Sequence, residues 1–135
     1  MMDAAQLQSA LAEYFAQWVQ ELGLKVDAFD GDSVTLRIPQ SDRLSRVGGM
    51  LCGQAMMAAA DTAMVLALIN HFGEFRACTT VQLNSTFLRP LSNQDALVQA
   101  RVIRAGKSLA FGEIDLRGAG DGKSVCRASV TYALL

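Results

Sequence analysis

The chain has 135 residues, 51% of them hydrophobic, and a formal net charge of −1 from 12 Lys and Arg against 13 Asp and Glu. That length fits one domain, residues 1–135, with a closed core, and the near-neutral charge supplies no basic field for nucleic acid or an anionic membrane. Cys52, Cys78 and Cys126 form no CxxC pair and there is one histidine, so no zinc set is expected and the thiols read as reduced, in a cytoplasm.

The first fifteen residues lack the basic and then continuously apolar pattern of a secretory signal. Over residues 3–22, Leu7, Leu11, Tyr14, Phe15, Trp18, Val19 and Leu22 follow the spacing of one amphipathic helix, ended by Gly23. Residues 24–29 and 33–39 flank an Asp30-Gly31-Asp32 turn and read as a β-hairpin. A loop over 40–51 contains Gly48-Gly49. Residues 53–72, rich in Ala, Met and Leu and without internal Gly or Pro, predict a helix that is apolar almost all round and therefore buried on most sides, stopped by Gly73. Its longest uninterrupted apolar run, residues 63–69, falls short of the roughly 20 residues that cross a bilayer, and no spanning helix is expected. Residues 78–88, 96–104, 108–116 and 124–134 read as strands of a four-strand meander. The simplest packing is α+β, an antiparallel sheet wrapped around one long central helix. A mean hydropathy of +0.23 suggests that a second copy covers part of the surface.

Asp61 is the single charged residue between Arg46 and His71. A lone carboxylate in an apolar helix is costly unless it is paired, hydrogen-bonded or protonated, so it reads either as a reacting group or as a structural one held by Ser or Thr hydroxyls or by Arg. At the start of the same helix, Gly53 offers a free N–H and a close backbone approach, a place for a negative oxygen; a plain glycine loop has the same composition. Eight residues at about 1.5 Å each separate the two groups by roughly 12 Å, too far for one helix to bring both to one carbonyl carbon. Two such helices, antiparallel across a two-fold axis, meet that requirement. Arg104-Ala105-Gly106-Lys107-Ser108 and Phe87-Leu88-Arg89-Pro90 place cations at strand ends, as phosphate sites or as solvated turns. His71 suits a helix C-terminus, and Cys52 has no activating base near it in sequence. Met57, with Ala55, Met56 and Ala58, reads as core or as the lining of an acyl pocket.

Gly49-Met50-Leu51-Cys52-Gly53-Gln54, then Ala60-Asp61-Thr62-Ala63, Thr80-Val81-Gln82-Leu83-Asn84, Phe87-Leu88-Arg89-Pro90 and Gly106-Lys107-Ser108-Leu109-Ala110-Phe111 occur in an order that resembles the hotdog-fold acyl-CoA thioesterases of the phenylacetate-pathway PaaI type, from about residue 24 to the C-terminus. The resemblance implies an obligate homodimer, often a tetramer, with two active sites at each dimer interface. It implies an aryl- or fatty acyl-CoA substrate cleaved to free acid and CoA, with no cofactor beyond the CoA of the substrate and no metal. Asp61 would act as nucleophile or general base, the Gly53 N–H would polarise the carbonyl, and Thr80 would orient water or carboxylate. The acyl-CoA would be held around Cys52, Gln54, Met57, Phe87, Arg89, Pro90, Arg104, Gly106, Lys107 and Ser108.

Arg46 stands where that family commonly has Asn, and Cys52-Gly53-Gln54 where it has His-Gly-Gly. The Gly53 amide survives; the positioning Asn side chain does not. Arg46 would either pair with Asp61 across the interface or bind an acidic acyl group. A thioester leaves as a weakly basic thiolate, so a site without His suffices for hydrolysis. The alternative readings are an acyl-CoA-binding protein with weak or no catalysis and, ranked below it for want of a His, a hydratase or dehydratase.

Overall fold

A twenty-residue helix, α3 (Gly53–Phe72), runs through the middle of the molecule, and the computed structural model describes residues 2–135 around it. Its Ala, Leu and Met residues pack under the sheet, and Gly73 closes it in the left-handed conformation (φ 76°), its N–H donating to Ile69 O at 2.8 Å. In length and hydropathy α3 would pass for a membrane span, with a mean of 1.4 over its most apolar 18-residue window. The length of its uninterrupted apolar run hid that resemblance, but the sheet accounts for the apolarity, because most of that window is buried inside the domain.

The sheet is antiparallel, with β1 (Lys25–Phe29), β2 (Ser33–Ile38), β3 (Cys78–Phe87), β4 (Ala96–Ala105), β5 (Leu109–Gly118) and β6 (Ser124–Leu134) in the spatial order β1-β2-β4-β5-β6-β3. The expected sheet wrapped around a central helix is present. The four-strand meander is not: only β4, β5 and β6 form one, and β3 pairs with β6 at the far edge. The α3 helix ends by the β1–β2 turn, where the Asn70 side-chain amide donates to the Asp30 carbonyl; the chain then runs to β3 at the far edge, and residues 88–95 carry it back across the sheet to β4. Leu91, buried in this crossing, accepts the Leu51 N–H at 2.9 Å, so the loop before α3 and the segment after β3 are tied together.

The single helix expected over residues 3–22 is two. α1 (Ala4–Glu13) starts in a capping box between Asp3 and Gln6 and buries Leu7, Ala10 and Leu11. After it, Tyr14 stacks on Phe75, with ring centroids 4.0 Å apart. The Phe15 carbonyl, which a continuous helix would give to the Val19 N–H, instead accepts from Gln20 Nε2 at 2.8 Å, while the Val19 N–H turns to Ala16 O. A short second helix, α2 (Gln17–Gln20), follows. The break leaves Trp18 exposed rather than packed under the sheet.

The α3 helix lies mainly against β2 and β4. On its other side Gln54 and Met57 are exposed and Ala58 and Asp61 half-buried, one stripe at i, i+3, i+4 and i+7 that the chain's own sheet leaves open.

Candidate functional site

Asp61 is half-buried on that stripe and is not a lone carboxylate. Its Oδ1 accepts the Thr80 hydroxyl at 2.8 Å and the Tyr132 hydroxyl at 2.5 Å, and Tyr132 also reaches the Asp61 carbonyl at 3.0 Å. Thr80 and Tyr132 are cross-strand partners in the β3/β6 ladder, beside a bulge between Thr80 and Gln82. One rung of the sheet therefore holds one carboxylate oxygen. Among the described residues Oδ2 receives no hydrogen bond. Burial, reinforced by the bond to Asp61, pushes the Tyr132 hydroxyl well above the ordinary tyrosine value of 10.0, so it stays a donor. A cleft of about 340 Å³ opens over Asp61 and Tyr132, with Gln54, Met57, Trp18 and Leu83 in its walls.

A second, larger cleft of about 660 Å³ opens at the start of α3 and brings together Arg46, Gly53, Gln54, Met57, Phe87, Arg89 and Pro90. Cys52 is the N-cap of α3 and supplies no side-chain cap, so the first amides of the helix are left to the cleft. Phe87 covers Gly53: a methyl there would lie 3.4 Å from its ring, ordinary contact. Arg46 opens a tight turn in which its carbonyl accepts the Gly49 N–H at 2.9 Å and its own N–H donates to Met50 O at 2.8 Å; Gly48 (φ 98°) and Gly49 (φ 80°) supply the left-handed geometry. That turn aims Arg46 at the cleft, exposed and, within one protomer, in no ion pair among the described residues.

Gln54 and Met57 line both clefts, which makes them two ends of one groove along the open stripe. Gly53 and Asp61 lie at its opposite ends, as the helical rise requires. Cys52 lines neither cleft; its half-buried side chain sits behind an amide that donates to Leu44 O at 2.9 Å. Arg104, Gly106, Lys107 and Ser108 also line neither. They lie at the β4–β5 turn, Arg104 in the end of β4 and the other three in the turn itself, closed by the Gly106 N–H on Leu109 O at 2.8 Å. The ladder places that turn at the Thr80–Tyr132 end of the sheet, since Ala110 pairs with Tyr132, while Phe87 pairs with Cys126 at the other end.

Tyr132 was not legible beforehand: in a meander β3 would adjoin β4, and nothing would set Tyr132 beside Thr80. The continuous apolar spacing of residues 3–22 puts Trp18 on the face of one amphipathic helix, with no sign that it reaches the Asp61 cleft. The alternation of Val130, Tyr132 and Leu134 marks an inward tyrosine, and a buried tyrosine hydroxyl needs a partner.

The family model described as the thioesterase superfamily matches residues 48–125, more than half of the chain and both clefts' portion of α3. The chain belongs to the thioesterase superfamily. Thioester hydrolysis, the enzyme class expected from the motifs, agrees with that membership. A Pseudomonas aeruginosa protein named for an esterase activity is 30% identical over 116 residues, spanning 84% of this chain and 79% of its own. A crystal structure of a variant thioesterase from the same organism superposes with a TM-score of 0.87 at 27% identity, covering 100% of this chain and 95% of that one. A Haemophilus influenzae thioesterase structure, at 23% identity and a TM-score of 0.89 over 100% of this chain and 92% of its own, shares the hotdog fold.

Proposed function

We propose that this thioesterase-superfamily protein hydrolyses acyl-CoA at a site made by two protomers, with Asp61 of one and the Gly53 amide of the other. One observation carries the reading: Asp61 is fixed at Oδ1 by Thr80 and Tyr132 and, among the described residues, keeps Oδ2 unpartnered beside an apolar cleft. A carboxylate so held is aimed, with one oxygen left for the chemistry. The open α3 stripe and the outer edge of β3, where Val81 is 59% exposed, are the surfaces a second copy would cover. Two β3 edges antiparallel across a two-fold axis set the Phe87 end of one protomer against the Thr80 end of its partner. Gly53, Arg46 and Arg89 of one copy then face Asp61 and the β4–β5 turn of the other.

In that site the thioester carbonyl oxygen accepts the Gly53 N–H. Asp61 Oδ2 either takes a proton from water as the water oxygen bonds to the carbonyl carbon, or bonds to that carbon itself and is released from the anhydride by water. In both routes the C–S bond breaks, the electron pair leaves with the CoA sulfur, and the products are the free acid and CoA. Arg89, Arg104, Lys107 and Ser108 supply cations and a hydroxyl suited to the nucleotide phosphates. Arg46, near the Gly53 end, would pair with the partner's Asp61 or contact the acyl group. No cofactor enters the proposal, and three free cysteines fit a reducing compartment such as the cytoplasm.

The test is thiol release from a panel of aryl and short, medium and long acyl-CoAs. Asp61→Asn is expected to lower kcat by about 10²–10⁴. Full activity in that variant would remove Asp61 from the chemistry. Binding of acyl-CoA by the wild type without any thiol release would make the protein an acyl-CoA binder instead.

A further inference from the structure

Trp18 is the chain's single tryptophan, and it is 61% exposed beside the carboxylate rather than in the core. The broken N-terminal helix puts it there. Tyr14 is held on Phe75 next to the end of α3, the Gln20 amide caps the Phe15 carbonyl, and α2 then carries Trp18 back over the open stripe. Trp18 and Phe15 form one wall of the 340 Å³ cleft, Met57 and Leu83 stand in the others, and Asp61 lies in its lining. Apart from the exposed Gln54 amide at the end shared with the larger cleft, few polar groups remain free there. The Tyr132 hydroxyl is taken by Asp61, and Thr62 Oγ1 donates to Ala58 O at 2.8 Å. No cation lines it.

A site whose walls are mostly aromatic, aliphatic and thioether carbon, with one amide at its rim and a carboxylate as its one reactive group, accepts a neutral apolar group next to the atom being attacked. We propose that α2 is the acyl-group wall and that Trp18 is its specificity-determining side chain: the neutral apolar acyl portion lies along the indole while its carbonyl carbon faces Asp61 Oδ2. The inference rests on the thioesterase reading and adds the element that chooses the acyl group.

Because Trp18 is the sole indole, its emission reports on this cleft directly. In the full-length Asp61→Asn protein, octanoyl-CoA and benzoyl-CoA are expected to shift and sharpen the emission relative to CoA alone, and acetyl-CoA to do so less. In the catalytic background, Trp18→Ala is expected to lower kcat/KM for octanoyl- and benzoyl-CoA relative to acetyl-CoA by about tenfold or more, chiefly through KM, and Trp18→Phe to restore most of the ratio. Turnover by the wild type together with an emission indifferent to the acyl group and an unchanged ratio in Trp18→Ala overturns this inference alone. An emission that changes on dilution of the ligand-free protein, and not with acyl-CoA, also overturns it, since a second copy would then cover the indole. Absence of turnover of every acyl-CoA removes both this inference and the reading beneath it.

Discussion

Asp61 stands out in the sequence because an apolar helix offers nothing to neutralise it; of the two hydroxyls that hold it, Thr80 and Tyr132, the second comes from the far end of the chain. Tyr132 is 3% exposed and gives its proton to Asp61 at two points. Tyr132→Phe keeps the ring and loses the donor, and the expected result is roughly a tenfold fall in kcat/KM with a stability loss of about 1 kcal/mol, read from thiol release and from urea unfolding. The same bond has a pH signature. Folding raises the Tyr132 pKa, first through burial and then through the bond to Asp61. Below pH 10 the proton is bound in both states. Above it the unfolded chain releases the proton while the folded one keeps it, so stability falls as pH rises, by at most about 1.4 kcal/mol per unit from this group. The gap in stability between wild type and Tyr132→Phe is expected to narrow from pH 9 to pH 11; parallel curves would deny Tyr132 this role.

Among the elements, those with a strong local pattern were legible and those defined by distant pairing were not. The α3 helix runs from Gly53 to Phe72 as its Ala-rich composition and Gly73 indicate, and the hairpin closes where Asp30 Oδ1 accepts the Asp32 and Ser33 amides. The strands were placed nearly to the residue. Their order was not, because alternation says which face a side chain takes and nothing about which neighbour it has. The N-terminal helix failed differently: its apolar spacing is continuous, yet the Tyr14–Phe75 stack and the Gln20 side chain compete successfully for the residues of its third turn. The contact between β5 and α3 shows how close the layers come. A Cβ at Gly112 would stand 2.4 Å from Met64 Sδ and 2.9 Å from the Arg101 carbonyl oxygen. Met64 can swing away, the strand backbone cannot. Gly112→Ala is therefore expected to destabilise by about 1–3 kcal/mol and to lower Tm by roughly 4–12 °C in calorimetry. An unchanged Tm would mean that the two layers separate more easily than their packing implies.

For the whole molecule, the groove along α3 poses a geometric demand: one end carries the free amide and the other the free carboxylate oxygen, and a thioester carbonyl needs both. The proposed dimer satisfies it and makes a prediction independent of any single rate. Gly53 is the first residue of α3 and follows an extended Cys52 (φ −72°, ψ 147°), a position and a neighbour that proline accepts. Gly53→Pro thus deletes the amide proton while the helix keeps its start. Gly53→Pro and Asp61→Asn are each expected to be nearly inactive and, by light scattering, to have at least twice the 14.5 kDa chain mass. Mixed and allowed to exchange subunits, they form hybrids in about half of the dimers. Each hybrid has one site with both groups intact and one with neither, so activity is expected to return to about a quarter of wild type. If both groups served a site within one protomer, every site in the mixture would lack one of them and nothing would return. Recovery after mixing therefore measures whether the active site belongs to the chain or to the pair.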